Sequence, residues 1–256
     1  MKVSRLSSGK GPAIIFLHGV GSGKEGWKHQ LAPVVEADFR FIAIDAPGFG
    51  ETPLPDHPGF APHVDAILTV MNDYGLDKAI LCGHSLGGMT AQEFHAGHPD
   101  RVGALVLSAT SPAFGRPDGE FQKQFLQARL APFQQGMTMP QFAKDFASRL
   151  VGPNPAPHAI DEIIDTLSGV SVEAYRLAMH TLTGFDQREN LANISVPTLV
   201  ISGAEDANSP AAMMEKMASK IPGARYVNLV ETGHMAPIET PDAFNQTLIN
   251  FLRRIY

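Results

Sequence analysis

The chain has 256 residues, 44% of them hydrophobic, enough to bury one large core. Twenty basic against twenty-six acidic residues leave a net charge of −6; with no basic stripe, this argues against nucleic acid or an anionic membrane as the principal partner. One cysteine, Cys82, permits no internal disulfide, no run reaches about 18 consecutive apolar residues, and no signal-like segment precedes the first strand, so the expectation is a cytoplasmic protein without membrane or nucleic-acid partners that acts on a small molecule, with self-association left open.

Taken in chain order, short apolar runs alternate with helix-length amphipathic stretches, the pattern of a mostly parallel sheet with helices on both faces. Strands are predicted at 13–17, 40–44, 79–82, 102–107, 198–201 and 225–230, in a sheet of about seven. The alternation lapses between 111 and 185. That segment has helix-like pieces with aromatic pairs at i,i+4, Phe121 with Phe125 and Phe142 with Phe146, divided by Gly and Pro clusters such as VGPNPAP. It is expected as a helical cap inserted into a core made of 1–110 and 186–256, its phenylalanines packing the cap onto that core. The last helix opens TPDAFNQTLINFL, with Thr240 as N-cap, Pro241 at the first helical position and Asp242 in the first turn.

Within AILCGHSLGG, residues 79–88, Ser85 stands on a tight bend between a strand and a helix. A serine hydroxyl is a weak nucleophile until a base takes its proton, and acyl transfer needs fixed donors for the developing oxyanion. A strand-to-helix bend exposes the oxygen and aims the free N–H groups of a helix N-terminus at it. Glycines at 83 and 87 fit that need, because strand and helix can cross there only without side chains, the GxSxG elbow. In this motif the acid and then the histidine follow later, each on a loop after a strand. TLVIS is followed by GAEDANSP and RYVNLV by ETGHMAP, which makes Asp206 the acid and His234 the base, with Glu205 a rival acid beside Asp206. The N–H of Leu86, the residue after the serine, is one expected oxyanion donor. Of the other histidines, His18 and His84 flank glycine turns and are read as structural, and His158 and His180 belong to the cap.

FLHGVGSG, DAPGFGETP, GHSLGG, HPDRV, GAEDANSP and GHMAPIETPDAF together resemble the α/β-hydrolase superfamily along nearly the whole chain apart from the cap. The resemblance implies a second oxyanion donor at the N–H of Val20 and a Ser-His-Asp mechanism with no cofactor and no metal. It also implies an opening antiparallel hairpin, for which the dozen residues before Ala13 are short, so one edge strand is expected to be lost. Serine at position 85 argues against the relatives that use aspartate there, the epoxide hydrolases and haloalkane dehalogenases. The tail from VSVEAYRLAMHT onward is similar to a bacterial branch that includes 3-oxoadipate enol-lactonases, esterases and the C–C hydrolases of aromatic breakdown, although those lactonases and C–C hydrolases more often carry methionine in place of Leu86.

The reading that follows is hydrolysis of a small carboxylic ester or lactone through an acyl-enzyme on Ser85. The alternative is C–C hydrolysis of a vinylogous diketone; of another class are a small-ligand receptor or a cofactor-free perhydrolase on the same fold. Trp27, Phe114 and Arg176 are the candidate substrate contacts, and any of Arg116, Arg129, Arg149 and Arg176 that turned inward would suit a carboxylate-bearing substrate. GSGKEG, residues 21–26, formally matches the dinucleotide pattern GxGxxG with Asp45 about 20 residues on. His18, Gly19 and Val20 separate it from the strand, which disfavours that reading.

Overall fold

The computed structural model describes residues 2–116 and 119–256. Its sheet has seven strands: β1 (Arg5–Ser8), β2 (Ala13–Leu17), β3 (Arg40–Ile44), β4 (Ala79–His84), β5 (Val102–Ser108), β6 (Thr198–Gly203) and β7 (Arg225–Leu229), in the order β1-β3-β2-β4-β5-β6-β7. The helices are α1 (Lys28–Glu36), α2 (Ala61–Asp73), α3 (Leu86–Gly97), α4 (Glu120–Gln134), α5 (Met139–Phe146), α6 (Ala159–Ser168), α7 (Val172–Thr183), α8 (Ala211–Ala218), α9 (Ala236–Glu239) and α10 (Pro241–Ile255). No described helix is long and apolar enough to cross a membrane.

The central strands are apolar throughout because both faces of a parallel sheet are covered. Successive side chains point to opposite faces. Ile14, Phe16, Phe41, Ala43, Ile80 and Cys82 pack against Val34 of α1 and the Phe244, Leu248, Phe251 and Leu252 stripe of α10. Ile15, Leu17, Ile42, Ile44 and Leu81 pack on the other face against α2, α3 and α8. Each such aliphatic or aromatic side chain contributes about 1.5–3 kcal/mol by leaving water. The six strands expected from the sequence are present, and β1 is the seventh. It pairs antiparallel with β3, Arg5 opposite Ile44, as a single edge strand in place of a hairpin. Its sequence, RLSS, is only partly buried and carries no apolar run to betray it.

Thr240 does occupy the N-cap of α10, with Pro241 and Asp242 following, but its side chain does not cap the helix. The hydroxyl instead meets the Ala236 carbonyl at 3.4 Å and Thr232 Oγ1 at 3.3 Å, consistent with α9 ending just before it.

Helices α4 to α7 lie between β5 and β6, and a single bridge from Ala113 to Asp186 ties the base of that stretch together. The insertion sits over the C-terminal ends of the strands, where Phe142, Tyr175, Leu182 and Phe185 form a cluster with Val20, Leu86 and Met89. One of its phenylalanines departs from expectation: Phe121 is 60% exposed, and its ring contacts Phe114 at 5.5 Å and Phe125 at 6.4 Å, both within the insertion.

Candidate active site

β2 pairs with both β3 and β4, so the strand order reverses between them and a crevice opens at their C-terminal ends. Ser85 stands at that crevice, directly after β4, with φ 53° and ψ −117°. For a side-chain-bearing residue this conformation costs about 1–3 kcal/mol, which the surroundings must hold. The Ser85 N–H donates to the Ser108 carbonyl at 2.9 Å, and the Thr110 hydroxyl donates to the Ser85 carbonyl at 2.8 Å. A Cβ at Gly83 would run into the Gly87 carbonyl, and one at Gly87 into the Leu17 carbonyl. The two glycines of the elbow are therefore set by close backbone approach. Leu86 begins α3, where first-turn N–H groups have no intrahelical acceptor and the helix dipole presents its positive end.

Asp206 follows β6 and His234 follows β7. Asp206 Oδ2 accepts from His234 Nδ1 at 2.8 Å, while Oδ1 accepts from the N–H groups of Asn208 at 2.8 Å and Ser209 at 3.0 Å. Burial alone would raise the Asp206 pKa; the positive charge and hydrogen bond available from His234, with the two backbone donors, overcome it and hold the carboxyl below its usual range. Glu205 is exposed, and Asp206 is the carboxylate bonded to the imidazole. With Nδ1 engaged, Nε2 is the ring nitrogen left for chemistry. Ser85 and His234 line one cavity. Among the described residues no hydrogen bond joins Ser85 Oγ to His234.

Two further groups hold the histidine loop, and sequence reasoning misses one of them. His84 Nε2 donates to the His234 carbonyl at 2.8 Å; burial, then the neighbouring His234 charge, pushes its pKa down to about 3, so the ring stays neutral. Glu239 belongs to none of the sequence-predicted sites. Its carboxylate is buried and accepts from the N–H groups of Gly152 at 2.6 Å, Gly233 at 3.0 Å and Met235 at 2.9 Å. Burial raises its pKa against those three donors. It thereby ties the loop carrying His234 to the insertion, a tie reinforced by the His234 N–H donating to the Leu150 carbonyl at 2.7 Å. The one signal in the sequence is a glutamate in an otherwise apolar stretch, MAPIET.

Val20 and Phe114 both line the cavity, and Leu86 adjoins Ser85 with its side chain buried beneath. Two expectations are corrected. Trp27 lies in the core, 2% exposed, with its ring 5.0 Å from Phe16 and 6.0 Å from Phe244, away from the cavity wall. Arg176 is on the exposed side of α7, where its guanidinium pairs with Glu173 three residues earlier. The arginine that does line the cavity is Arg129, stacked 4.4 Å from the Phe146 ring centre and 5.3 Å from Phe125, with Nη2 3.5 Å from Asn208 Oδ1. Arg116 and Arg149 are exposed. The rest of the wall is largely apolar, and the cavity volume of about 140 Å³ is on the scale of an aromatic ring.

The dinucleotide reading of GSGKEG meets a direct obstacle. Asp45, the residue such a site would offer to a ribose, is buried and already accepts from the Lys24 N–H at 2.8 Å and the Lys24 ammonium at 2.7 Å. Of the loop's glycines, Gly21 instead borders the Ser85 cavity.

The overall fold recurs in solved proteins. A thermophilic esterase from Thermogutta terrifontis, solved with malate bound, superposes with a TM-score of 0.90 at 28% identity, over 99% of this chain and 93% of its own. Among sequence relatives, 3-oxoadipate enol-lactonase 2 of Acinetobacter baylyi is 27% identical, spanning 95% of this chain and 89% of its own length. The 2-hydroxy-6-oxo-6-phenylhexa-2,4-dienoate hydrolase of Comamonas testosteroni is 29% identical, spanning 96% and 90%. Its neighbours thus include an esterase, a lactonase and a C–C hydrolase, and the sequence pattern of the alpha/beta hydrolase family matches residues 14–247, from β2 into α10. The chain belongs to the alpha/beta hydrolase family.

Proposed function

We propose that the protein hydrolyses small carboxylic esters or lactones through an acyl-enzyme on Ser85. The observation that carries this reading is Ser85 held in a strained bend on the same cavity as a histidine whose other nitrogen is bonded to a buried carboxylate. In this mechanism His234 Nε2 takes the Ser85 proton as Oγ attacks the substrate carbonyl, and Asp206 holds the imidazole's tautomer and stabilises its cation. The negative oxygen that forms is received by the N–H groups of Val20 and Leu86, donors that typically contribute about 2.7–4 kcal/mol each. His234 then protonates the departing alcohol, or the alkoxide end of an opened lactone. Water, deprotonated by the same nitrogen, releases the acid and restores Ser85.

Arg129 narrows the substrate. Histidines aside, it is the one charged side chain lining the cavity among the described residues. Set against aromatic rings, a guanidinium suits an acyl group that ends in a carboxylate. Turnover of p-nitrophenyl butyrate and p-nitrophenyl hemisuccinate tests both parts. Ser85→Ala should abolish both activities by several orders of magnitude. Arg129→Ala should leave the butyrate rate within about twofold and cut kcat/KM for the hemisuccinate by about 10-fold or more, the worth of one lost charge-assisted pair. Unchanged turnover in Ser85→Ala refutes the mechanism; equal loss on both esters in Arg129→Ala refutes the carboxylate preference. Turnover of a vinylogous diketone with no ester activity would favour the C–C reading.

A further inference from the structure

A second cluster of reactive side chains lies away from the cavity, where the insertion meets the core. His29 is on α1 of the core, while His158 immediately precedes α6 of the insertion and Glu162 lies on that helix. The spacing of His158 and Glu162, i to i+4, places both on one face of α6. His29 Nε2 lies 2.9 Å from Glu162 Oε2, and the His29 and His158 ring centres are 4.7 Å apart. One ligand atom from each of the three residues falls within 4.8 Å of the other two. The observation that asks for a ligand is His158 Nε2: it is shut off from solvent and has no hydrogen-bond partner. A buried polar atom left unpaired costs about 1–3 kcal/mol, and neither His29 nor Glu162 relieves it.

We propose that His29, His158 and Glu162 form a divalent transition-metal site, of the kind zinc occupies, which clamps the insertion to the core. Two imidazole nitrogens and one carboxylate oxygen are a recognised zinc donor set, with bonds of about 2.0–2.2 Å, and water completes a tetrahedron. From their present spacing, side-chain rotations that move each atom by about 1 Å bring the three to that distance. Binding exchanges the His29–Glu162 hydrogen bond for two metal bonds, and the His29 Nε2 proton passes to Nδ1 through solvent. Lys28 Nζ lies 2.8 Å from Glu162 Oε1, so Oε2 remains for the ion and the ammonium weakens the site by like-charge repulsion. None of the three ligands lines the Ser85 cavity, so the ion holds structure and takes no part in the hydrolysis.

Titrating chelator-treated full-length protein with Zn²⁺, followed by calorimetry and by melting temperature, tests the site. The wild type should bind one ion at this cluster and melt at a higher temperature with it. His158→Ala and Glu162→Gln should each weaken that binding by at least about 10-fold, since even outer-shell partners of a metal are worth that much. Lys28→Ala should tighten it by about 3- to 10-fold at low salt. A wild type that zinc does not stabilise, or a zinc response identical in all three variants, overturns the proposal; identity would place the ion elsewhere, His234 with Asp206 being the obvious competitor. Should either ligand variant fail to fold, Lys28→Ala decides alone, because unchanged affinity there also overturns it.

Discussion

The two walls of the cavity are held by different forces. On the sheet side, Ser85, Asp206 and His234 are each fixed by directional bonds: the Ser108 carbonyl and Thr110 hydroxyl on the first, the Asn208 and Ser209 N–H groups on the second, the Leu150 carbonyl and His84 ring on the third. On the insertion side, Phe114 rests on Phe125, and Phe142 on Phe146 and Tyr175, through ring contacts between 4.7 and 5.5 Å. Hydrogen bonds fix an atom's position, whereas apolar contacts chiefly fix a volume and tolerate repacking. The proposed chemistry and the proposed selectivity therefore fall on separate walls and should separate under mutation.

The largest effect that would sharpen this contrast lies on the sheet side. Asp206→Asn should keep the fold but lower kcat by about 10⁴-fold with little change in KM, because the imidazole is then held in the wrong tautomer. The same variant carries a pH signature. The folded protein holds the Asp206 carboxyl below its usual value of 3.8, so wild-type stabilisation from this group is complete above that value and lost as pH falls through the depressed one. The stabilities of the wild type and Asp206→Asn should thus differ by a constant amount above about pH 4 and converge as pH falls below it.

Next comes Glu239, which belongs to the sheet-side wall by its bonding although it never touches the cavity. Glu239→Ala strands three N–H groups, and urea unfolding should show a loss of about 3 kcal/mol, with kcat falling by about 10- to 100-fold as the His234 loop loosens and KM changing less. A variant that lost stability but kept its full kcat would show that the loop needs no such tether. On the opposite wall, Phe142→Ala should raise KM several-fold and leave kcat within about threefold, at a stability cost of about 3 kcal/mol for a cavity-lining phenylalanine. If it instead lowered kcat as Asp206→Asn does, the separation of the two walls would fail. The smallest effect is expected at Val20→Ala, since the proposed donor is a main-chain N–H that the substitution leaves in place, and activity should stay within about threefold.

The same division governs which parts of the molecule are legible in its amino-acid sequence. Ser85, Asp206 and His234 are legible because each follows a short apolar run and sits among glycines or turn residues, a local pattern. The strands are legible for the same reason, except β1, whose pairing depends on Ile44 and Phe41 far along the chain. Of the insertion-side wall only Phe114 is legible. Whether an arginine on α4 or on α7 turns inward depends on how those helices fold back over the sheet, and the four arginines of that stretch look alike in sequence. Arg176 alone carries a local clue, Glu173 three residues before it, which marks an exposed pair. Trp27 misleads because nearness in sequence to the Val20 loop is not nearness in space; its short 3₁₀ turn sends the indole under the sheet to Phe16 and Phe244. Glu239 stays hidden because its role lies wholly in bonds to the main chain, which no side-chain pattern announces.

The most direct measurement of the central claim is a fluorophosphonate reaction followed by peptide mass spectrometry. One phosphonyl group should be found, on the hydroxyl of Ser85, with labelling lost in Ser85→Ala and slowed in Asp206→Asn. An adduct on a different residue, or ester hydrolysis that persists in the fully labelled protein, would contradict the account.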